Sequence, residues 1–211
     1  MRPDRLIVIT GTGTDIGKTW VGAAVLTELR AMGKRVAARK PVQSFDPDAT
    51  QPTDADVLAG ASGEHPHDVC PPHRWYPIAL APPMAAAVLG LPAFQVADLI
   101  AETTWPAGID IGLIEGAGGV HSPIADDGDT LSLIGAMSPD LVIVVADAEL
   151  GTINNIRLTV DALSCNPCVV HLNRFDPAVE LHRLNFDWLA ERLHLTVTTT
   201  TRQLASVVLR E

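Results

Sequence analysis

The segment Leu6-Ile7-Val8-Ile9-Thr10-Gly11-Thr12-Gly13-Thr14-Asp15-Ile16-Gly17-Lys18-Thr19 limits the chain to few folds. Four apolar β-formers run into glycines, and the glycines into a Lys-Thr pair and an apolar-periodic stretch, Val21 to Met32. That order predicts strand, loop and helix. Glycines let backbone N–H groups turn inward around phosphate oxygens, and the helix N-terminus adds partial positive charge. Lys18 is expected to reach the β- and γ-phosphates, and the Thr19 hydroxyl to sit on Mg²⁺. Gly13, Thr14, Asp15, Ile16 and Gly17 complete the expected nucleotide cradle. The usual spacing places a glycine where Thr12 stands; here it lies one residue earlier, at Gly11, giving Gly-x5-Gly-Lys-Thr.

A chain of 211 residues with 47% hydrophobic content is expected to form one α/β domain over residues 1–211. The net charge of −10 gives no electrostatic support to a nucleic-acid role. An acidic protein that binds phosphates must concentrate its cations. Of only three lysines, Lys18, Lys34 and Lys40, two fall in or near the expected site. No cationic-then-apolar leader is expected before Leu6, and no apolar run approaches membrane-spanning length. Three cysteines, Cys70, Cys165 and Cys168, read as free thiols in a reducing cytoplasm, with Cys165 and Cys168 as packing and turn residues.

Two further stretches carry chemistry. Arg35 to Lys40 reads as a strand stopped by Pro41, which places Lys40 at its carboxyl end, where ligands bind in open parallel sheets. Asp110 to Ile114 reads as a buried strand running into Glu115-Gly116-Ala117-Gly118-Gly119. Its acid stands where a metal-binding carboxylate follows a phosphate loop, and Gly118 and Gly119 let a substrate approach backbone N–H groups. Between them, Thr53 is expected to cap a short helix Asp54–Gly60. Asp54 and Asp56 fit equally well as favourable charges at that helix start and as metal ligands. His65, His67 and His73 fall on a polar stretch and are expected to be solvated. The histidine-bearing stretch 62–72 and the stretch 120–129 read as loops, and Val179 to Leu193 reads as one amphipathic helix. Hydrophobic strands alternate with helices along the chain, which predicts a doubly wound, mostly parallel sheet with helices on both faces. Phosphate loop, Lys40, Asp54 and Glu115 together imply Mg-ATP chemistry beside a second substrate. Spacing alone fits a hydrolytic switch and a ligase equally.

The chain resembles the dethiobiotin synthetases through Gly11 to Thr19, Lys40-Pro41-Val42-Gln43-Ser44, Glu115 to Gly119 and Leu150-Gly151-Thr152-Ile153-Asn154. The longer phosphate loop is a trait of that family. The resemblance implies ATP-dependent closure of a cyclic urea on 7,8-diaminononanoate with CO₂. It implies that Thr19, Asp54 and Glu115 hold Mg²⁺, and that Lys18 and Lys40 act on the carbamate and the transferring phosphoryl group. It further implies that Thr14, Lys40, Ser44, Gly118 and Gly119 meet the substrate, and that Asn173 reads adenine. A homodimer is implied, with Asn154 near the carboxylate tail of a substrate bound mainly to the other subunit. Two other classes share parts of the pattern. ParA/MinD-like switch ATPases carry an extra lysine early in the loop, where this chain has none; cobyrinate-type amidating ligases carry a glutamine-hydrolysing domain, which 211 residues are expected not to hold.

Overall fold

The computed structural model describes residues 2–164 and 166–210. Cys165 lies outside them, and with it the spacing of Cys165 and Cys168. In chain order the elements begin β1 (Arg5–Gly11), α1 (Lys18–Ala31), β2 (Val36–Arg39), β3 (Gln43–Ser44), α2 (Asp54–Ser62), α3 (Pro66–Val69) and β4 (Trp75–Tyr76). They continue with α4 (Pro82–Val88), α5 (Val96–Glu102), β5 (Ile111–Glu115), β6 (Pro123–Ala125), β7 (Gly128–Asp129), α6 (Thr130–Met137) and β8 (Leu141–Ala146). The last are α7 (Thr152–Leu163), β9 (Cys168–Leu172), α8 (Glu180–Asp187), β10 (Val197–Thr198) and α9 (Thr201–Val208). No helix of the described residues is long and apolar enough to cross a membrane.

Six strands form one sheet in the order β10-β9-β8-β1-β5-β2, and every neighbouring pair is parallel. The expected doubly wound α/β arrangement is therefore present. Period-2 alternation divides the strand side chains between two cores. Leu6 and Val8 of β1 and Val142 and Val144 of β8 join residues of α4 to α7 on one face. Ile7, Ile9, Ile143 and Val145 pack on the other face against α1, α2 and α9. Both faces are covered, so the strands read as unbroken apolar runs. Each fully buried Val, Leu or Ile contributes about 1.5–3 kcal/mol.

Because all six strands are parallel, β1, β2, β5, β8 and β9 deliver their carboxyl ends to one edge. Register fixes what meets there. Ile9 pairs with Glu115, and Arg39 with Ile114, so the next residue of β2's chain, Lys40, comes level with Glu115.

Three local expectations are corrected. The stretch 62–72 contains α3, started by Pro66 in the first turn and by His65, whose Nδ1 accepts from the His67 N–H at 3.2 Å. The stretch 120–129 holds an antiparallel ribbon of β6 and β7. The helix expected over Val179–Leu193 is α8 followed by a π-helical turn, Trp188–Arg192. A π turn inserts a residue and so rotates the side chains after it about the helix axis. Leu189 is buried, whereas Trp188, expected on the apolar face, is 50% exposed.

One buried group makes stability depend on pH. His171 of β9 is buried, with Nδ1 3.0 Å from Thr198 Oγ1, and burial pushes its pKa down to about 4. Between about pH 6.5 and 4 the unfolded chain binds a proton that the folded chain refuses, so stability falls as pH drops through that window. The expected loss is on the order of 3 kcal/mol. Melting temperatures of wild type should fall more steeply from pH 6.5 to 4 than those of His171→Asn; parallel curves would exclude His171 as the cause.

Candidate active site

The phosphate loop joins the carboxyl end of β1 to α1. Its first glycine is required by packing: a Cβ on Gly11 would stand 2.8 Å from Ile16 Cγ2 and 3.0 Å from the Val145 carbonyl oxygen. Gly17 has φ +93° at the N-cap of α1, and a Cβ there would meet Asn173 Nδ2 at 2.2 Å. Asn173 itself follows β9. Its Nδ2 donates to the Ile16 carbonyl at 2.9 Å, and its Oδ1 accepts from the Arg174 N–H at 3.0 Å. Asn173 thus ties the far end of the sheet to the loop, a contact invisible in sequence spacing. By contrast, none of the described residues' atoms beyond its chain neighbours lies within 4 Å of a Cβ placed on Gly13.

Lys18 and Thr19 open α1. Lys18 Nζ donates to the Gly13 carbonyl at 2.8 Å, closing the loop over itself. Burial, followed by repulsion from Lys40, holds the Lys18 pKa below the ordinary lysine value. The Thr19 hydroxyl lies 2.7 Å from Asp54 Oδ1 and 2.9 Å from Glu115 Oε1.

Lys40 is buried at the end of β2. Its Nζ lies 2.6 Å from Glu115 Oε1, 2.7 Å from Asp54 Oδ2 and 3.1 Å from the Gly116 carbonyl oxygen. Burial alone would lower the Lys40 pKa, but Asp54 and Glu115 outweigh it and keep the ammonium charged. Burial likewise works to raise Asp54, yet contact with Lys40 and Thr19 holds its carboxyl below the usual range. Glu115 is pushed up by burial against the pull of Lys40, and its Oε2 is buried without a hydrogen-bond partner among the described residues.

The two aspartates at the start of α2 separate cleanly. Asp56 accepts from the Thr53 N–H at 2.9 Å and completes a capping box. Asp54 turns the other way, to Thr19 and Lys40. Gln43 positions them: its Oε1 accepts from the Ala55 N–H at 3.0 Å, and its Nε2 donates to Thr53 Oγ1 at 3.3 Å. Gln43 stood inside the Lys-Pro-Val-Gln-Ser stretch, but its role needs the fold to be seen.

A cavity of about 1000 Å³ opens over these groups. Thr14, Asp15, Gly17, Lys18, Thr19, Lys40, Ser44, Asp54, Glu115 and Gly118 line it. Trp20 and Arg174 also line it, and sequence reasoning passed over both. Gly13 and Gly119 face a smaller adjoining cavity of about 290 Å³, where the Gly119 N–H already donates to Ser122 Oγ at 2.8 Å. Ile16 and Asn173 stand behind the loop rather than in the main cavity. Asn154 is exposed in the first turn of α7 and lines neither cavity.

Two carboxylates and a hydroxyl are hard oxygen donors that suit Mg²⁺, and the unpartnered Glu115 Oε2 is a further donor. No group of three or more His, Cys, Asp or Glu among the described residues converges as a metal cage. The donor set fits a metal that brings phosphate oxygens with it.

A family model described as an AAA domain matches residues 5–174. The ATP-dependent dethiobiotin synthetase BioD of Caulobacter vibrioides is 44% identical over 163 residues, covering 74% of this chain and 73% of that protein. The chain belongs to the dethiobiotin synthetase family. The synthetase of the same name from Xanthomonas campestris pv. campestris is 34% identical over 191 residues, 88% of this chain and 85% of its own. Kinship with the dethiobiotin synthetases therefore reaches well beyond the phosphate loop. Solved structures show the shared fold at lower identity. Cobyrinic acid a,c-diamide synthase from Mycobacterium smegmatis superposes with TM-score 0.53 at 18% identity, covering 98% of this chain and 94% of that one. A plasmid partition protein from Borrelia burgdorferi does so with TM-score 0.54 at 13% identity and the same coverage.

Proposed function

We propose that this chain is an ATP-dependent cyclo-ligase that closes a cyclic urea on 7,8-diaminononanoate with CO₂, giving dethiobiotin, ADP and phosphate. The observation that carries the reading is the buried Lys40, held level with the phosphate loop at one sheet edge. A switch ATPase needs only a water placed at the γ-phosphate. An acceptor that is itself anionic needs a second cation.

The chemistry divides into three steps. A substrate amine adds to CO₂, forming an N–C bond and losing a proton to solvent, to give a carbamate. A carbamate oxygen attacks the γ-phosphorus and ADP leaves. The second amine attacks the carbonyl carbon of the mixed anhydride, its N–H proton passes to solvent, the ring closes, and phosphate departs with the bonding pair. Lys18 steadies the β- and γ-phosphates, and Lys40 holds the carbamate against them. Thr14, Ser44, Gly118 and Gly119 are assigned to the diamine. Mg²⁺, when bound, supplies charge neutralisation between the phosphates, and Thr19, Asp54 and Glu115 would hold it. Asn173 keeps one amide hydrogen and one lone pair for adenine beyond the bonds it already makes.

Giving the metal to Asp54 rather than Asp56 has a measurable consequence. Asp54→Asn should raise the Mg²⁺ concentration for half-maximal activity about tenfold, roughly 1.4 kcal/mol of lost attraction. Asp56→Asn, which keeps a capping oxygen, should leave it unchanged. Mg²⁺ titrations of the two variants decide, and the reverse pattern would hand the metal to Asp56.

The exposed Asn154 fits a site completed by a second copy. We assign it to the substrate carboxylate across a homodimer, where the α7 N-terminus adds N–H donors. Sedimentation at assay concentration should show a dimer; a fully active monomer would refute this. The free thiols Cys70 and Cys168 suit a reducing cytoplasm.

The whole reading is tested by following ADP and ring product together. Both should depend on diamine and on CO₂ and appear one for one. Steady ATP hydrolysis indifferent to both substrates, without ring product, would move the protein to the switch class.

A further inference from the structure

We infer that Lys40 is the resident counter-ion of Asp54 and Glu115, and that a divalent metal displaces its ammonium from between them, so that metal loading frees Lys40 for the substrate. The inference rests on the metal assignment made above and deepens it.

The Lys40 ammonium is saturated. An ammonium has three N–H donors. Lys40 directs all three inward, to Glu115 Oε1 at 2.6 Å, Asp54 Oδ2 at 2.7 Å and the Gly116 carbonyl at 3.1 Å. In that state no donor is left for a carbamate or a phosphoryl oxygen. A lysine that serves the reaction must first let go of something.

Charge decides what replaces it. Asp54 and Glu115 are brought together on the single hydroxyl of Thr19, so a cation is required between them. Lys18, the other cation of the cavity floor, is committed to the Gly13 carbonyl. Among the described residues, Lys40 alone supplies the contact. A divalent ion takes the same carboxylate and hydroxyl oxygens, and two cations sharing one set of ligands at contact distance repel. The metal brings the larger charge and wins those oxygens. The unpartnered Glu115 Oε2 offers it a position that Lys40 does not use. The backbone need not move: Pro41 fixes the strand end, and only the flexible four-carbon stem swings.

Mn²⁺ binding to the nucleotide-free protein, read by electron paramagnetic resonance, tests the competition. Lys40→Met keeps the stem and removes the charge. It should bind Mn²⁺ about tenfold more tightly than wild type, or better. Equal or weaker binding by the folded variant would overturn the inference. Should the variant fail to fold, wild type answers alone. Its three lysines give three ammonium signals in ¹⁵N-lysine spectra. Millimolar Mg²⁺, with no nucleotide, should shift the Lys40 signal and speed its hydrogen exchange, leaving Lys34 unmoved. A Lys40 signal indifferent to Mg²⁺ would overturn the inference too. Ring product from wild type together with no gain in Mn²⁺ affinity by Lys40→Met would sink the displacement and leave the reaction standing; a gain by Lys40→Met with no ring product from wild type would do the opposite.

Discussion

Lys18→Ala is expected to lower turnover by about 10²–10³-fold while the fold survives. Both halves follow from where the ammonium sits. It stands in the first turn of α1, inside a loop whose N–H groups and helix end already favour anions, and it adds the full charge nearest the expected β- and γ-phosphates. Its hydrogen bond is to the Gly13 carbonyl, and no carboxylate among the described residues lies in ion-pair contact with it. Removing it therefore strands no buried anion, and it relieves the cost of a buried cation. Turnover and melting temperature measured on the same preparation check this. Near-normal turnover in a folded variant would end the phosphate-loop assignment.

Lys40→Ala is expected to abolish ring formation with nucleotide affinity within a few-fold of wild type. Two unit charges about 4 Å apart repel by about 4 kcal/mol at an effective dielectric of 20, close to a thousandfold in rate. Without Lys40 the carbamate loses the cation assigned to offset that repulsion. Unlike Lys18, Lys40 holds two carboxylates, so its loss should also destabilise the metal-free protein by about 3–5 kcal/mol. Added Mg²⁺ should recover much of that loss, because it meets the same carboxylates. Ring product, ADP and melting temperature with and without Mg²⁺ report the three effects separately. Ring formation surviving in the variant would remove Lys40 from the reaction.

What could be read in the residues was what chain-local physics encodes. The phosphate loop announces itself because strand, glycines, Lys18 and helix are consecutive. Glu115 and Lys40 were visible because a buried strand that ends in a charge must place it at an edge. The choice between Asp54 and Asp56 was not legible, since both favour a helix start. It turns on Gln43 and Thr53, which fix how α2 begins. The grip of Asn173 on Ile16 joins residues 157 positions apart, beyond any spacing rule. Trp20 and Arg174 carry no motif and were passed over. The π turn at Trp188 was missed because its inserted residue leaves the apolar pattern of a plain helix intact until the phase slips.

The two carboxylates that meet at Lys40 belong to different parts of the molecule. Glu115 ends a central strand bonded on both sides. Asp54 begins a helix that enters the core through Ala55 and Leu58, but its first turn is set by a cap and by Gln43, after an exposed run from Asp46 to Pro52. Local opening draws on segments with few buried contacts, while central strands open only with the whole protein. The start of α2, entered from that exposed run, is thus expected to be the softer half of the pair. On warming, that half of the charge arrangement is expected to loosen while the sheet still stands. Amide exchange at Ala55 and Asp56 would then outpace that of β1 and β5, and inactivation would precede melting.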